Sequence, residues 1–169
     1  MALLLEPGVA VEVGRFTAMV SPPGFLVDVL LAPEVDRFTA LYLYGVSSRV
    51  LHRLPRRAPR IGIRSCMTVH QLLESLREAD ESIVIVEYDD EIFSPLEGED
   101  RDVIFVVGRQ LRELSRSAAV LVWAPRAERG FRALMMTADQ VVWHHEERLA
   151  RPIRRRRRAV QRTLFADPA

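Results

Sequence analysis

The chain has 169 residues, 49% hydrophobic and 28% charged, the profile of one globular domain able to bury a core of its own. All 24 basic residues are arginine, and the lack of any lysine excludes a conventional P-loop ATPase with its phosphate-neutralising lysine. One cysteine, Cys66, excludes an internal disulfide, and with four scattered histidines it offers no metal-ligand spacing, so neither metal nor cofactor is expected.

The net charge of +1 is unevenly spread. Residues 1–147 carry 16 Arg against 22 Asp and Glu, a net −6, whereas residues 148–169 carry 8 Arg against Asp167 alone, a net +7. The chain therefore divides into a core domain over 1–147 and an arginine-rich tail or helix over 148–169. No segment approaches the roughly 18 apolar residues that cross a bilayer. The run Ala2 to Leu5 has neither the basic start nor the length of a signal peptide. These features predict a cytoplasmic protein with no membrane partner. The missing Asn and all-arginine basicity fit a GC-rich, heat-adapted source.

In chain order, short segments rich in β-branched and aromatic residues alternate with helical patterns, the signature of βαβ units around a parallel sheet. Strands are predicted at Phe16 to Val20, Ala40 to Tyr44, Arg60 to Arg64, Ser82 to Val86, Ala118 to Trp123 and Gln140 to Trp143. Helices are predicted near Leu26 to Leu31 and Ser47 to Leu54. A clearer one starts at Thr68, which can cap it while Gln71 reaches back, with Val69, Leu72, Leu73 and Leu76 as its apolar stripe. Another runs from Asp102 to Ser115, with Val103, Val106, Val107, Leu111 and Leu114 on one face. Trp123 and Trp143 close apolar strands and are expected in the core or at its rim. His144 and His145 end the last strand and point to opposite faces, with no function required of them.

The first predicted strand runs into Ser21, Pro22, Pro23, Gly24, Phe25, Leu26, Val27 and Asp28. A P-loop stands at such a place because glycines let backbone amides wrap the phosphates, Lys neutralises them and a hydroxyl holds Mg²⁺. Placed on that motif, Ser21 stands for the first Gly, Leu26 for the second, Val27 for the Lys and Asp28 for the Ser/Thr. A triphosphate would meet a carboxylate and branched apolar side chains.

With this order of elements the chain resembles the RecA/RadA recombinase superfamily. Ala40 to Arg53 looks like the second strand and helix, Arg60 to Ala79 the next pair, and Ser82 to Asp90 (SIVIVEYDD) the Walker B strand. The resemblance implies an α/β fold with a mainly parallel twisted sheet, helices on both faces, and a degenerate P-loop. It places Glu87 at the metal-orienting Walker B position, followed by Asp89 and Asp90, while Gly45, Val46 and Ser47 replace the family's catalytic Glu. From the residues alone, the cluster Glu87, Asp89, Asp90 and Glu91 reads as a solvated loop at the carboxyl edge of the sheet, with a metal or nucleotide site as the alternative. Cys66 precedes a helix that carries His70. A free Cys is more often a small buried hydrophobe than a nucleophile.

In the tail, Arg154, Arg155, Arg156, Arg157 and Arg158 place five charges within ~18 Å if extended or about 7.5 Å if helical. With Arg151 and Arg162 they fit a phosphate backbone, bound without sequence preference and with a steep salt dependence. An acidic protein surface, or the acidic core of the same chain, fits them too. Gln161, Leu164 and Phe165 spell a partial sliding-clamp peptide, or an apolar anchor for a partner. The resemblance adds a role: a non-catalytic recombinase paralog that joins another RecA-like recombinase or a SWIM-type zinc protein in homologous recombination and repair. A RecA-like structural subunit that forms rings is the alternative.

Overall fold

The computed structural model describes residues 2–6, 9–33, 35–55, 61–93 and 102–144. Strands β1 (Ala2–Glu6) and β2 (Val9–Glu12) form an antiparallel hairpin. The main sheet holds β3 (Phe16–Val20), β4 (Ala40–Tyr44), β5 (Ile61–Ser65), β6 (Ile83–Glu87), β7 (Ala119–Ala124) and β8 (Gln140–Trp143). Its order is β5-β4-β6-β7-β3-β8, and every pairing is parallel. The protein is thus an α/β domain with a six-stranded parallel sheet, an arrangement compatible with a RecA-like fold.

Parallel strands need crossovers, and four helices supply or flank them: α1 (Pro23–Leu30), α2 (Val69–Glu78), α3 (Val103–Leu114) and α4 (Arg129–Met135). Alternation along each strand divides the core in two. Phe16, Ala18, Val20, Val84, Val86, Val120 and Val122 pack against α2, α3 and α4. Met19, Tyr42, Ile83, Ile85, Leu121 and Trp123 pack on the other face against α1 and the hairpin residues Leu3, Leu5 and Val11. Covered on both faces, β3, β6 and β7 are buried throughout, which explains their unbroken apolar runs. Gly14, at φ +92, makes the turn from β2 into β3 that a side chain would strain.

Helix α2 forms as predicted. Thr68 Oγ1 accepts the Gln71 N–H at 3.2 Å, and Gln71 Oε1 accepts the Met67 N–H at 2.8 Å, one residue before the expected partner. Val69, Leu72, Leu73 and Leu76 are all buried, each contributing about 1.5–3 kcal/mol. Helix α3 departs from its predicted face: Ile104, Val107, Gly108, Leu111 and Leu114 are buried, while Val106 is 39% exposed. Gly108 explains the rotation. A Cβ there would lie 2.3 Å from Thr137 Oγ1, so the helix turns its bare backbone toward the end of α4.

Three predicted strands end one residue too early, which leaves Ser65, Glu87 and Ala124 inside β5, β6 and β7. The helix expected over Ser47 to Leu54 is instead a loop with a single 3-10 turn at Leu51–Arg53. Ser48 Oγ accepts the N–H groups of Val50 and Leu51, both at 3.1 Å, and this local alternative competes with helical hydrogen bonding. The hairpin and α4 are elements that the sequence patterns did not announce.

Candidate functional site

The degenerate P-loop position lies where β3 meets α1. Only Ser21 and Pro22 separate strand from helix, so no loop exists to wrap a phosphate. Pro22 is the N-cap and Pro23 the first helical residue; neither has an N–H to offer an anion, and the Phe25 N–H is given to Pro22 O at 3.1 Å. Asp28 is exposed and Val27 half-buried, but Leu26 is fully buried in the core under α1. The expectation that Leu26 would confront a ligand is corrected: it faces the sheet.

What closes the position is Trp123. Its indole Nε1–H donates to Ser21 Oγ at 2.8 Å and to Ser21 O at 3.1 Å, and the side chain is fully buried. In register, Trp123 stands between Met19 of β3 and Glu87 of β6, on the face that carries α1. An indole therefore occupies the sheet surface between the P-loop position and the Walker B-like carboxylate. Sequence reasoning placed Trp123 in the core or rim and missed this role, because its partner lies 102 residues away.

Half of the acidic cluster departs from the solvated loop expected from the residues alone: Asp90 and Glu91 are exposed, but Glu87 and Asp89 are not. Glu87 is 1% exposed and Asp89 7%. Glu87 Oε2 accepts the hydroxyls of Tyr42 and Ser48, each at 2.6 Å, and Oε1 accepts the Arg49 N–H at 2.7 Å. Asp89 accepts the N–H groups of Val46 at 2.8 Å and Glu91 at 3.0 Å. The space is close-fitted: a Cβ on Gly45 would lie 2.3 Å from Asp89 Oδ2. Together the two carboxylates fasten the loop after β4 to the end of β6. A buried charge persists because charge-assisted hydrogen bonds replace its hydration. Burial, with the Glu87 charge beside it, pushes the Tyr42 hydroxyl far above the usual phenolic range.

Asp90 differs from Glu87 and Asp89. It is exposed and accepts the hydroxyl of buried Tyr88 at 2.9 Å. Burial and this acceptor raise the Tyr88 pKa strongly. Among the described residues no group of three or more His, Cys, Asp and Glu is placed to hold a metal ion.

Only a small void lies on the opposite face, between the sheet and helices α2 and α3, walled mostly by core side chains such as Leu72, Val107 and Leu111. Glu87 and Asp89 border it, with their carboxylate oxygens given to the bonds described above. Cys66 lines it as well, 1% exposed, its thiol donating to Ser75 Oγ at 3.6 Å and raised in pKa by burial. His70 is exposed on α2. His144 stacks on Phe25 at 3.8 Å between ring centroids, joining the end of β8 to α1. Arg151, Arg154 to Arg158, Gln161, Arg162, Leu164 and Phe165 lie outside the described residues, as does His145.

No known family profile matches the chain. It is similar to an uncharacterized protein of Archaeoglobus fulgidus, 28% identical over 134 residues that cover 79% of this chain and 67% of the archaeal one. No helix among the described residues is long and apolar enough to cross a membrane.

Proposed function

We propose that this protein is a non-catalytic, RecA-like accessory subunit of DNA recombination or repair. Its sheet domain binds a protein partner, another RecA-like recombinase or a SWIM-type zinc protein, and Arg151, Arg154 to Arg158 and Arg162 bind DNA. The observation that carries the reading is the Trp123 indole bonded to Ser21, at the place where such a fold would wrap a phosphate. Glu87, the residue at the Walker B position, spends its three hydrogen bonds on Tyr42, Ser48 and Arg49. Groups that would do nucleotide chemistry are thereby committed to holding the fold. The net +7 of residues 148–169 supplies a polyanion-binding element beside an acidic core.

The test is fluorescence anisotropy of labelled single-stranded and duplex DNA across a salt series. It compares the full chain with a full-length variant in which Arg154 to Arg158 are Gln. Tight binding with a steep salt dependence, lost in the variant, is the expected result. No binding by the unaltered chain at low salt overturns the DNA role and leaves a protein-assembly subunit. A sizing column separates that last possibility, since a ring-former self-associates without any partner.

A further inference from the structure

Helices α2, α3 and α4 lie side by side on one face of the sheet, with α3 in the middle and packed against both neighbours. Their outer surface carries charge of opposite sign at its two margins. Residues 69–81, which are α2 and its exit, hold Glu74, Glu78, Asp80 and Glu81 against Arg77, a net −3. Glu74 and Glu78 are exposed, and among the described residues Glu78 alone of the two is ion-paired, with Arg64. Helix α4 holds Arg129 and Arg132, both exposed, with no acid between its ends. Neither enters an ion pair among the described residues. Arg126, just before α4, shares a small crevice with Arg49, Asp90 and Glu128, two charges of each sign, so that corner is neutral.

Between these margins α3 leaves Phe105 45% and Val106 39% exposed. Gly108 points from α3 toward Thr137 at the end of α4. At about 100° per residue, that direction places Phe105 and Arg109 on the α4 half of the outer surface of α3, and Val106 and Glu113 on the α2 half. The helical layer therefore has an apolar centre, and each feature of one half has its complement on the other. Phe105 answers Val106, Arg109 answers Glu113, and Arg129 with Arg132 answers Glu74 with Glu78. Such a surface is complementary to itself turned over.

We infer that this face docks a second copy of the chain, in a two-fold pair whose axis runs along α3 between the copies. Rotation about that axis exchanges left and right, so each copy's α4 lies over the other copy's α2. Phe105 then packs on the other copy's Val106, Arg109 reaches its Glu113, and Arg129 and Arg132 meet its Glu74 and Glu78. An apolar centre inside a charged rim is the anatomy of a specific interface, and a self-complementary contact closes at two copies. A two-fold axis across the helices would instead set α2 on α2 and α4 on α4, like charge on like. Three helices at the usual spacing, each about 15 Å long, give a face roughly 30 by 15 Å, which suits a dimer with Kd on the order of 10 µM. The α1 and hairpin face and both sheet edges stay open to other partners, so the inference is independent of the DNA reading.

The test is sedimentation equilibrium of the full chain at low salt, over concentrations that bracket this Kd. The expected result is a monomer–dimer equilibrium that stops at two copies and weakens as salt screens the charged rim. Phe105→Ser weakens the dimer roughly thirtyfold, the loss expected of a central aromatic anchor. Arg129→Glu with Arg132→Glu abolishes it, and so does Glu74→Arg with Glu78→Arg. An equimolar mixture of those two variants pairs again, because both rim contacts of the mixed dimer join opposite charges. Circular dichroism and Tm verify that each variant is folded. A chain that stays monomeric throughout, or a mixture that fails to pair, overturns the inference. Association beyond two copies overturns it as well and points to a ring. If replacing Arg154 to Arg158 by Gln abolishes self-association while Phe105→Ser leaves it unchanged, the arginine tail holds the copies together and the helical face is overturned.

Discussion

The Glu87 latch makes the sharpest prediction, because a structural and a catalytic carboxylate respond oppositely to the same substitution. Glu87→Ala leaves the Tyr42 hydroxyl, the Ser48 hydroxyl and the Arg49 N–H without an acceptor, Tyr42 being fully buried. Each buried donor left unsatisfied costs about 1–3 kcal/mol. Part of the Ser48 and Arg49 loss returns through water once the loop loosens, so the total is set at about 3–5 kcal/mol. Glu87→Gln keeps the shape but not the acceptors. If the amide oxygen takes both hydroxyls, its NH₂ opposes the Arg49 N–H; if it takes the Arg49 N–H, the NH₂ opposes the hydroxyls, which must then rotate. One conflict remains in either orientation, at about 1–3 kcal/mol. In a domain of this size 1 kcal/mol moves Tm by roughly 2–4 °C. The expected falls are therefore about 2–12 °C for Gln and roughly 6–20 °C for Ala, by calorimetry and urea titration. Hydrogen exchange should show the Val46 and Arg49 amides opening in both variants. A carboxylate held for metal or substrate is a strained, costly group whose neutralisation usually stabilises. A Glu87→Gln variant with unchanged or higher Tm would therefore refute the latch.

Three further outcomes are expected. Mg·ATP at millimolar concentration should not raise Tm in a thermal-shift assay; a rise of several degrees would show that a site exists despite the Trp123–Ser21 closure. Gly108→Ala should destabilise by about 1–3 kcal/mol in spite of alanine's better helix propensity, because the new Cβ meets Thr137 Oγ1 at 2.3 Å and Thr137 Cβ at 2.8 Å, and Thr137→Ala, which keeps the second contact, should recover only part of the loss in a double-mutant cycle. The raised pKa values of Tyr42 and Tyr88 mean that above pH about 10 the unfolded chain sheds protons that the folded chain keeps. Their stabilisation is complete below that pH and falls by about 1.4 kcal/mol per pH unit for each tyrosine above it, which melts across the alkaline range should show and Tyr42→Phe should halve.

How far the sequence reached depended on the range of the interaction. The apolar runs located all six sheet strands, and the Thr68 and Gln71 pair located α2, because strand alternation and capping are local signals. Helix α4 was missed since a seven-residue segment with Phe131 and Leu134 as its buried anchors has too little periodicity to stand out. The face of α3 was misjudged by the rule that apolar residues turn inward, which cannot foresee that Gly108 would be chosen for close approach to Thr137. At the candidate site, composition and motif showed that the residues of a conventional P-loop are missing but not what stands in their place. Trp123 with Ser21 and Glu87 with Ser48 are pairs 102 and 39 residues apart, and such pairs become neighbours only when the strand order is known. The acidic cluster looked solvated because carboxylates usually are; three donors converging on Glu87 overrule that habit.

The stitched carboxyl edge also bears on timing. A ligand can shift a conformational equilibrium only by binding one state better than another. Here Trp123 is already bonded to Ser21, and Glu87 to Tyr42, Ser48 and Arg49, and the Glu87 bonds hold the loop after β4 in one position. On the proposed reading, the surface this subunit offers its partners stays constant as nucleotide pools rise and fall. It contributes no internal clock, so its departure from a complex is set by salt, partner concentration and the dissociation rate alone.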